Sequence, residues 1–173
     1  MKHESSEKSK IEIIDGKYTF SDIYKKDYTP QEMIDTIKKA DILILPYEGF
    51  RDRSDYLFPE ETYKLYDYLK ENTLSNSITV EICSSDEEYK ELELHADVIN
   101  IAQIIVNSSA YAIVVGLITN YLYDKLKHYN KKDINANVSI TVETNGKSKT
   151  IRYEGSIENF ESAMKSVDEH ILK

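Results

Sequence analysis

From Val98 to Tyr123 the chain carries no charged side chain, although Asp, Glu, Lys and Arg make up 31% of its 173 residues. A stretch with that contrast has to be covered, by protein or by lipid. Read as one helix, at 1.5 Å per residue, it would be about 39 Å long, enough to run through the middle of a compact domain or to cross a bilayer. It offers no clean amphipathic face, because Gln103, Asn107, Ser108, Ser109, Thr119 and Asn120 are scattered around the helical wheel. A membrane span would have Lys125, Lys127, Lys131 and Lys132 behind it, giving an inner-membrane-anchored adaptor with a cytoplasmic C-terminal side. A buried central helix instead lets the six polar side chains find partners in protein, and it covers the apolar faces of neighbouring strands. The buried helix is the expectation carried forward.

The remaining bulk properties exclude several classes. Cys83 is the single cysteine, so no intramolecular disulfide and no Cys-x-x-Cys zinc or redox pair can form. A net charge of -9 argues against general nucleic-acid binding, which rests on many Lys and Arg contacts to phosphate. Residues 1–10 are charged and polar without an apolar core, unlike a signal or transit peptide, and are expected to be a disordered tail on a cytoplasmic protein. The absence of Trp, the three arginines and the wealth of Ile, Lys, Asn and Tyr fit an AT-rich genome, so the 14 tyrosines alone imply no function.

Turn and capping chemistry punctuates the rest. Ile11 to Ile14 and Lys17 to Phe20 flank Asp15-Gly16, which predicts an opening hairpin. Thr29-Pro30-Gln31-Glu32 reads as an N-cap, a first-turn proline and a capping-box glutamate ahead of Met33, Ile34, Ile37 and Ala40. Ile42-Leu43-Ile44-Leu45, apolar at every position and stopped by Pro46, predicts a strand covered on both faces. Pro59, Glu60 and Glu61 open a helix with Tyr63, Leu65, Tyr66 and Leu69 as its buried stripe and Asn72 near its end. Ser77 to Cys83 and Glu91 to Val98 alternate as half-exposed strands, the first with Thr79, Glu81 and Cys83 outward. Val138, Ile140 and Val142 lead through Asn145-Gly146 to Ile151 and Tyr153, the strongest hairpin signal, and Ser156 caps a helix striped by Ile157, Phe160, Met164, Val167 and Ile171. The fold class expected is α+β: a mixed sheet of about six or seven short strands with hairpins at both ends, packed on a long apolar central helix and three amphipathic helices. Residues 11–173 are expected to form one domain, with sub-units 11–98 and 99–173.

Two constellations are candidates for chemistry. The loop from Tyr47 to Tyr56 follows the most buried strand, where open α/β sheets hold ligands. There Arg51 and Arg53 could grip a nucleotide-like anion while Glu48 or Asp55 orients a hydroxyl; the bland alternative is a surface loop whose charges pair with one another, and Gly49 alone makes no phosphate cradle. On the following strand Glu91, Glu93, His95 and Asp97 share one side, with Asp86, Glu87 and Glu88 just upstream. Such a set suits a metal ion, but residues two apart on a strand lie about 6–7 Å apart, so the wet face of a half-buried strand is the simpler reading. No base or oxyanion site accompanies Cys83, Ser84 and Ser85, so no catalytic residue and no cofactor is expected.

The last third, from the apolar helix through Val138-Ser-Ile-Thr-Val-Glu, Asn145-Gly146-Lys, Thr150-Ile-Arg-Tyr and Ser156-Ile-Glu-Asn-Phe to Met164, resembles the effector-associated constant components of bacterial conflict systems. The resemblance covers about 75 residues and implies a non-catalytic module that couples a partner effector to its trigger. The function expected is therefore an interaction or regulatory subunit in antiviral defence, with a protein partner and the capacity to form a homo-oligomer. A small α/β sensor or enzyme acting at the Tyr47 to Tyr56 loop, and a membrane-anchored adaptor, are the alternatives.

Overall fold

The computed structural model of the chain describes residues 9–49, 55–93, 98–128 and 134–171. Its strands are β1 (Lys10–Asp15), β2 (Ile42–Leu45), β3 (Phe58–Pro59), β4 (Val80–Ile82), β5 (Glu91–Leu92), β6 (Val98–Asn100), β7 (Gln103–Asn107), β8 (Asn135–Thr144) and β9 (Lys147–Ser156). Its helices are α1 (Phe20–Tyr24), α2 (Ile34–Lys38), α3 (Thr62–Thr73), α4 (Tyr111–His128) and α5 (Ile157–Ile171). The fold is α+β, with a mixed seven-stranded sheet in the order β1, β9, β8, β7, β2, β4, in which β6 also lies along β8, and a separate two-stranded pair of β3 and β5.

β2 is the strand its sequence foretells: all four residues are buried, with β4 parallel on one side and β7 antiparallel on the other. Its alternate side chains feed two cores. Ile42 and Ile44 join the larger one with Leu65, Leu69, Val114, Ile118 and Phe160 from α3, α4 and α5. Leu43 and Leu45 join a smaller one with Phe20, Ile23, Tyr28 and Ile37 from α1, α2 and the segment between them. A strand sandwiched in this way tolerates no polar position, which explains the unbroken apolar run.

The charge-free segment is not one helix. Its first half forms β6 and β7, and only the second half enters α4. Asn100 pairs with Asn137 and Ile104 with Ile140, so one extra residue is accommodated at Ile101-Ala102, a β-bulge between β6 and β7. Ile104, Ile105 and Val106 are β-branched and fully buried, since β7 is covered on both faces like β2. The helix begins where Asn107 turns the chain: its Oδ1 accepts from the Ala110 N–H (3.0 Å) and from Ser109 Oγ (2.8 Å), while its Nδ2 donates to Asp41 Oδ1 (2.8 Å). Asn107, Ser108 and Ser109 are thus a turn, and α4 spans about 27 Å. Among the described residues no helix is long and apolar enough to cross a membrane, which removes the alternative of a span at Val98 to Tyr123.

The opening hairpin is also absent. β1 pairs antiparallel with β9, Ile11 opposite Tyr153 and Asp15 opposite Lys149, while Phe20 begins α1 behind a capping box formed by Thr19 and Asp22. Gly16 serves a close approach: a Cβ there would lie 2.0 Å from Ser148 Oγ. The C-terminal hairpin stands as read, with Asn145 (φ 53) and Gly146 (φ 80) in the left-handed conformations of a type I′ turn and Ser156 Oγ accepting from the Asn159 N–H.

Smaller corrections have local causes. Lys10 belongs to β1 rather than to the tail, of which residues 1–8 lie outside the described ones. Thr29 caps no helix: its hydroxyl donates to the Ile23 carbonyl, and Pro30 leads into a short 3₁₀ turn ahead of α2. Tyr63 is 45% exposed, because its ring packs edge-on against Tyr66 and Tyr89 instead of entering the core. Cys83 turns inward past the end of β4 and is fully buried. The strand expected over Glu91 to Val98 is two strands in different sheets, with residues 94–97 outside the described ones.

Candidate functional site

Because β2 and β4 are parallel, both deliver their following segments to the same edge of the sheet, the edge where open α/β sheets place ligands. Past β2, the buried Pro46 is followed by a bridge in which the Tyr47 N–H donates to the Leu57 carbonyl at 2.7 Å, clipping together the two ends of the intervening loop. Past β4, the Cys83 N–H donates to the Ile44 carbonyl (2.9 Å), and its Sγ lies 3.2 Å from Thr29 Oγ1. Burial pushes the Cys83 thiol up to about 11, with the Thr29 contact opposing it, so at neutral pH this sulfur is a packed thiol without nucleophilic character. Ser85 then caps a single turn, its Oγ accepting from the Glu88 N–H and its carbonyl from the Tyr89 N–H. That turn carries Glu87 and Glu88.

Between these segments lies a pocket of about 260 Å³. Its walls include Tyr28, Pro46, Tyr56 and Phe58, with Cys83 at its side, and its polar lining includes Asp55, Glu87, Glu88 and Lys90. The Tyr28 and Tyr56 rings meet edge to face with centroids 5.3 Å apart, and Phe58 stacks on Tyr89 at 4.9 Å. Burial, followed by the neighbouring Cys83 and Glu48, raises the Tyr28 phenol well above its ordinary value, so it is a neutral donor under all ordinary conditions. A smaller pocket of about 60 Å³ also borders the Ser84 to Tyr89 turn and is lined by Met33, Tyr63, Tyr66 and Glu81. Burial raises the Glu81 carboxyl, while the charge of Lys70 opposes it.

The residues singled out from sequence divide among several places. Asp55 lines the pocket. Glu48 is exposed and pairs with Lys26 at 3.3 Å. Arg51 and Arg53 lie outside the described residues. Glu91 is a helix cap: its Oε1 accepts from the Glu61 N–H (2.9 Å), and its Oε2 from the Tyr63 N–H (3.3 Å) and the Tyr89 hydroxyl (2.5 Å). Glu93 is exposed beyond β5, and His95 and Asp97 lie outside the described residues. Among the described residues no group of three or more His, Cys, Asp or Glu side chains is placed to hold a metal ion.

No protein-family model matches this chain, no curated protein matches it, and no solved structure matches it. The site is therefore read on its own geometry. Glu87 and Glu88, which in the sequence stand just upstream of the Glu91 row, are set by the fold beside Tyr28 and Tyr56, from segments far away in the chain. The one local signal for the rim was Ser85 three residues ahead of Glu88, the spacing of a capped turn.

Proposed function

We propose that this chain is a non-catalytic recognition domain, the interaction or regulatory part of a larger system, and that it recognises its ligand at the pocket beyond β2 and β4. The observation that carries the reading is the aromatic pocket itself, held between two clipped loops at the carboxyl ends of parallel strands. The order β7, α4, β8, β9, α5 supports a coupling role, since a helix ahead of a compact hairpin and a closing helix is the arrangement on which the resemblance to effector-associated constant components rests. The partner on this reading is an effector protein of a bacterial defence system. An anion at the same edge is the alternative drawn from Arg51 and Arg53, which lie outside the described residues; the charged residues of the described lining are Asp55, Glu87, Glu88 and Lys90.

Detergent-free affinity purification of the tagged protein from its native host, with bound proteins and small molecules both identified by mass spectrometry, tests the reading. A stoichiometric partner or ligand is expected with the wild type and is expected to be lost from Tyr56→Ala, a half-buried position at the edge of the smaller core, the variant first being shown by its unfolding transition to be folded. Retention of every bound species by Tyr56→Ala, or turnover of a co-purified small molecule by the isolated chain, would overturn it.

A further inference from the structure

The chemistry of the pocket narrows what it can recognise. Its volume of about 260 Å³ is just below the range of about 300–1,000 Å³ typical of small-molecule sites, so its occupant is small or is a single side chain. The walls are aromatic, and an aromatic face attracts a cation held within about 6 Å of its centroid. The rim brings Asp55, Glu87 and Glu88 against Lys90. Among the described residues no ion pair involves Glu87 or Glu88, so their charge is not cancelled by a described neighbour. A bare metal ion would want three or more converging ligands, which the described residues do not assemble, and it would gain little from rings. A cation with an apolar body uses both halves of the lining. The net charge of -9 further favours the approach of cations.

Resting on the recognition reading above, we propose that this pocket binds an organic ammonium group, with the alkyl body against the aromatic lining, Tyr56 foremost, and the charge toward Glu87 and Glu88. Two sources supply that chemistry, a free amine and the lysine side chain of a partner, and the probes below separate them.

The test is titration of the full chain by NMR and calorimetry with choline, with Nα-acetyl-lysine methylamide, with AMP, and with 3,3-dimethylbutan-1-ol, the uncharged carbon counterpart of choline. Saturable binding of at least one ammonium probe is expected, with none of the neutral alcohol. Tighter binding of choline assigns the free amine, and tighter binding of the lysine derivative assigns a partner's side chain. The double variant Glu87→Gln, Glu88→Gln changes two exposed positions on a surface turn and is expected to fold; it should weaken ammonium binding about three- to tenfold, the scale of two solvent-screened charge contacts. Equal binding of the neutral alcohol, unchanged affinity in the double variant, or no saturable binding of either ammonium probe would overturn the proposal. AMP binding that Tyr56→Ala abolishes would overturn the ammonium inference while sparing the recognition reading. Failure of all four probes, together with partner capture that Tyr56→Ala leaves unchanged, would remove both.

Discussion

Replacing Glu91 by Ala takes away the group that closes the N-terminus of α3. The first N–H groups of a helix have no partner within it, and Glu61, which precedes α3 in a left-handed conformation (φ 67), supplies no side-chain cap of its own. Glu91 reaches across from β5 to accept from the Glu61 and Tyr63 N–H groups, and also holds the Tyr89 hydroxyl. Loss of a helix cap costs about 0.5–2 kcal/mol. Glu91→Ala belongs in the upper part of that range, at about 1–2 kcal/mol, because the carboxylate also faces the positive end of the helix dipole. In a protein of this size 1 kcal/mol moves Tm by about 2–4 °C, so a fall of about 2–8 °C is expected, with Glu91→Gln, which keeps an acceptor oxygen, falling less. The assay is thermal and urea unfolding of the three proteins, with and without EDTA and with added Zn²⁺ or Mn²⁺. An unchanged Tm in Glu91→Ala would refute the capping argument, whereas a fall in Tm seen only with added metal and abolished by EDTA would return Glu91 to metal binding.

Further tests address other parts of the fold. Gly146→Ala forces an L side chain to φ 80 in a space with no other obstruction, so about 1–2 kcal/mol of stability should be lost in urea unfolding through backbone strain alone. Glu81 has a carboxyl raised by burial above 4.5; such a group favours the folded state when protonated, and that contribution is lost as pH rises through the folded-state value. Glu81→Gln should therefore be more stable than the wild type at pH 7, by a margin that shrinks toward pH 4 in parallel urea titrations. Cys83, with its thiol pushed from 9.0 to about 11, should present about 100-fold less thiolate than an ordinary cysteine, and its burial slows it further; labelling by iodoacetamide at pH 8 should become fast only when denaturant unfolds the chain.

What the sequence disclosed depended on how local the cause was. Ile42 to Leu45 could be read because a strand covered on both faces must be apolar throughout, and Asn145-Gly146 because a type I′ turn demands those residue types. The charge-free run misled because burial was legible and conformation was not: Asn107, Ser108 and Ser109 are turn residues only once β7 pairs with β2 and β8, and on a helical wheel they look like scatter. Asp15-Gly16 carries hairpin chemistry, yet the partner of β1 is β9, and no short-range rule points there. The candidate site was half visible for the same reason. Asp55 and the acidic turn could be noticed locally, whereas Tyr28, Tyr56 and Phe58 acquire meaning only when separate segments converge.

The pairing of β1 with β9 also sets a schedule for the nascent chain. Asp15 must wait for Lys149, and at ribosomal rates of about 5–20 residues per second the interval is on the order of ten seconds. Throughout it Lys10–Asp15 is a strand without a neighbour, offering unpaired amides and carbonyls to any other chain on the polysome. Lys10, Glu12 and Asp15 break up its three isoleucines with charge, a composition that resists association before the proper neighbour is made. The side chains that decorate the rim of the finished sheet thus have their greatest value before the sheet exists.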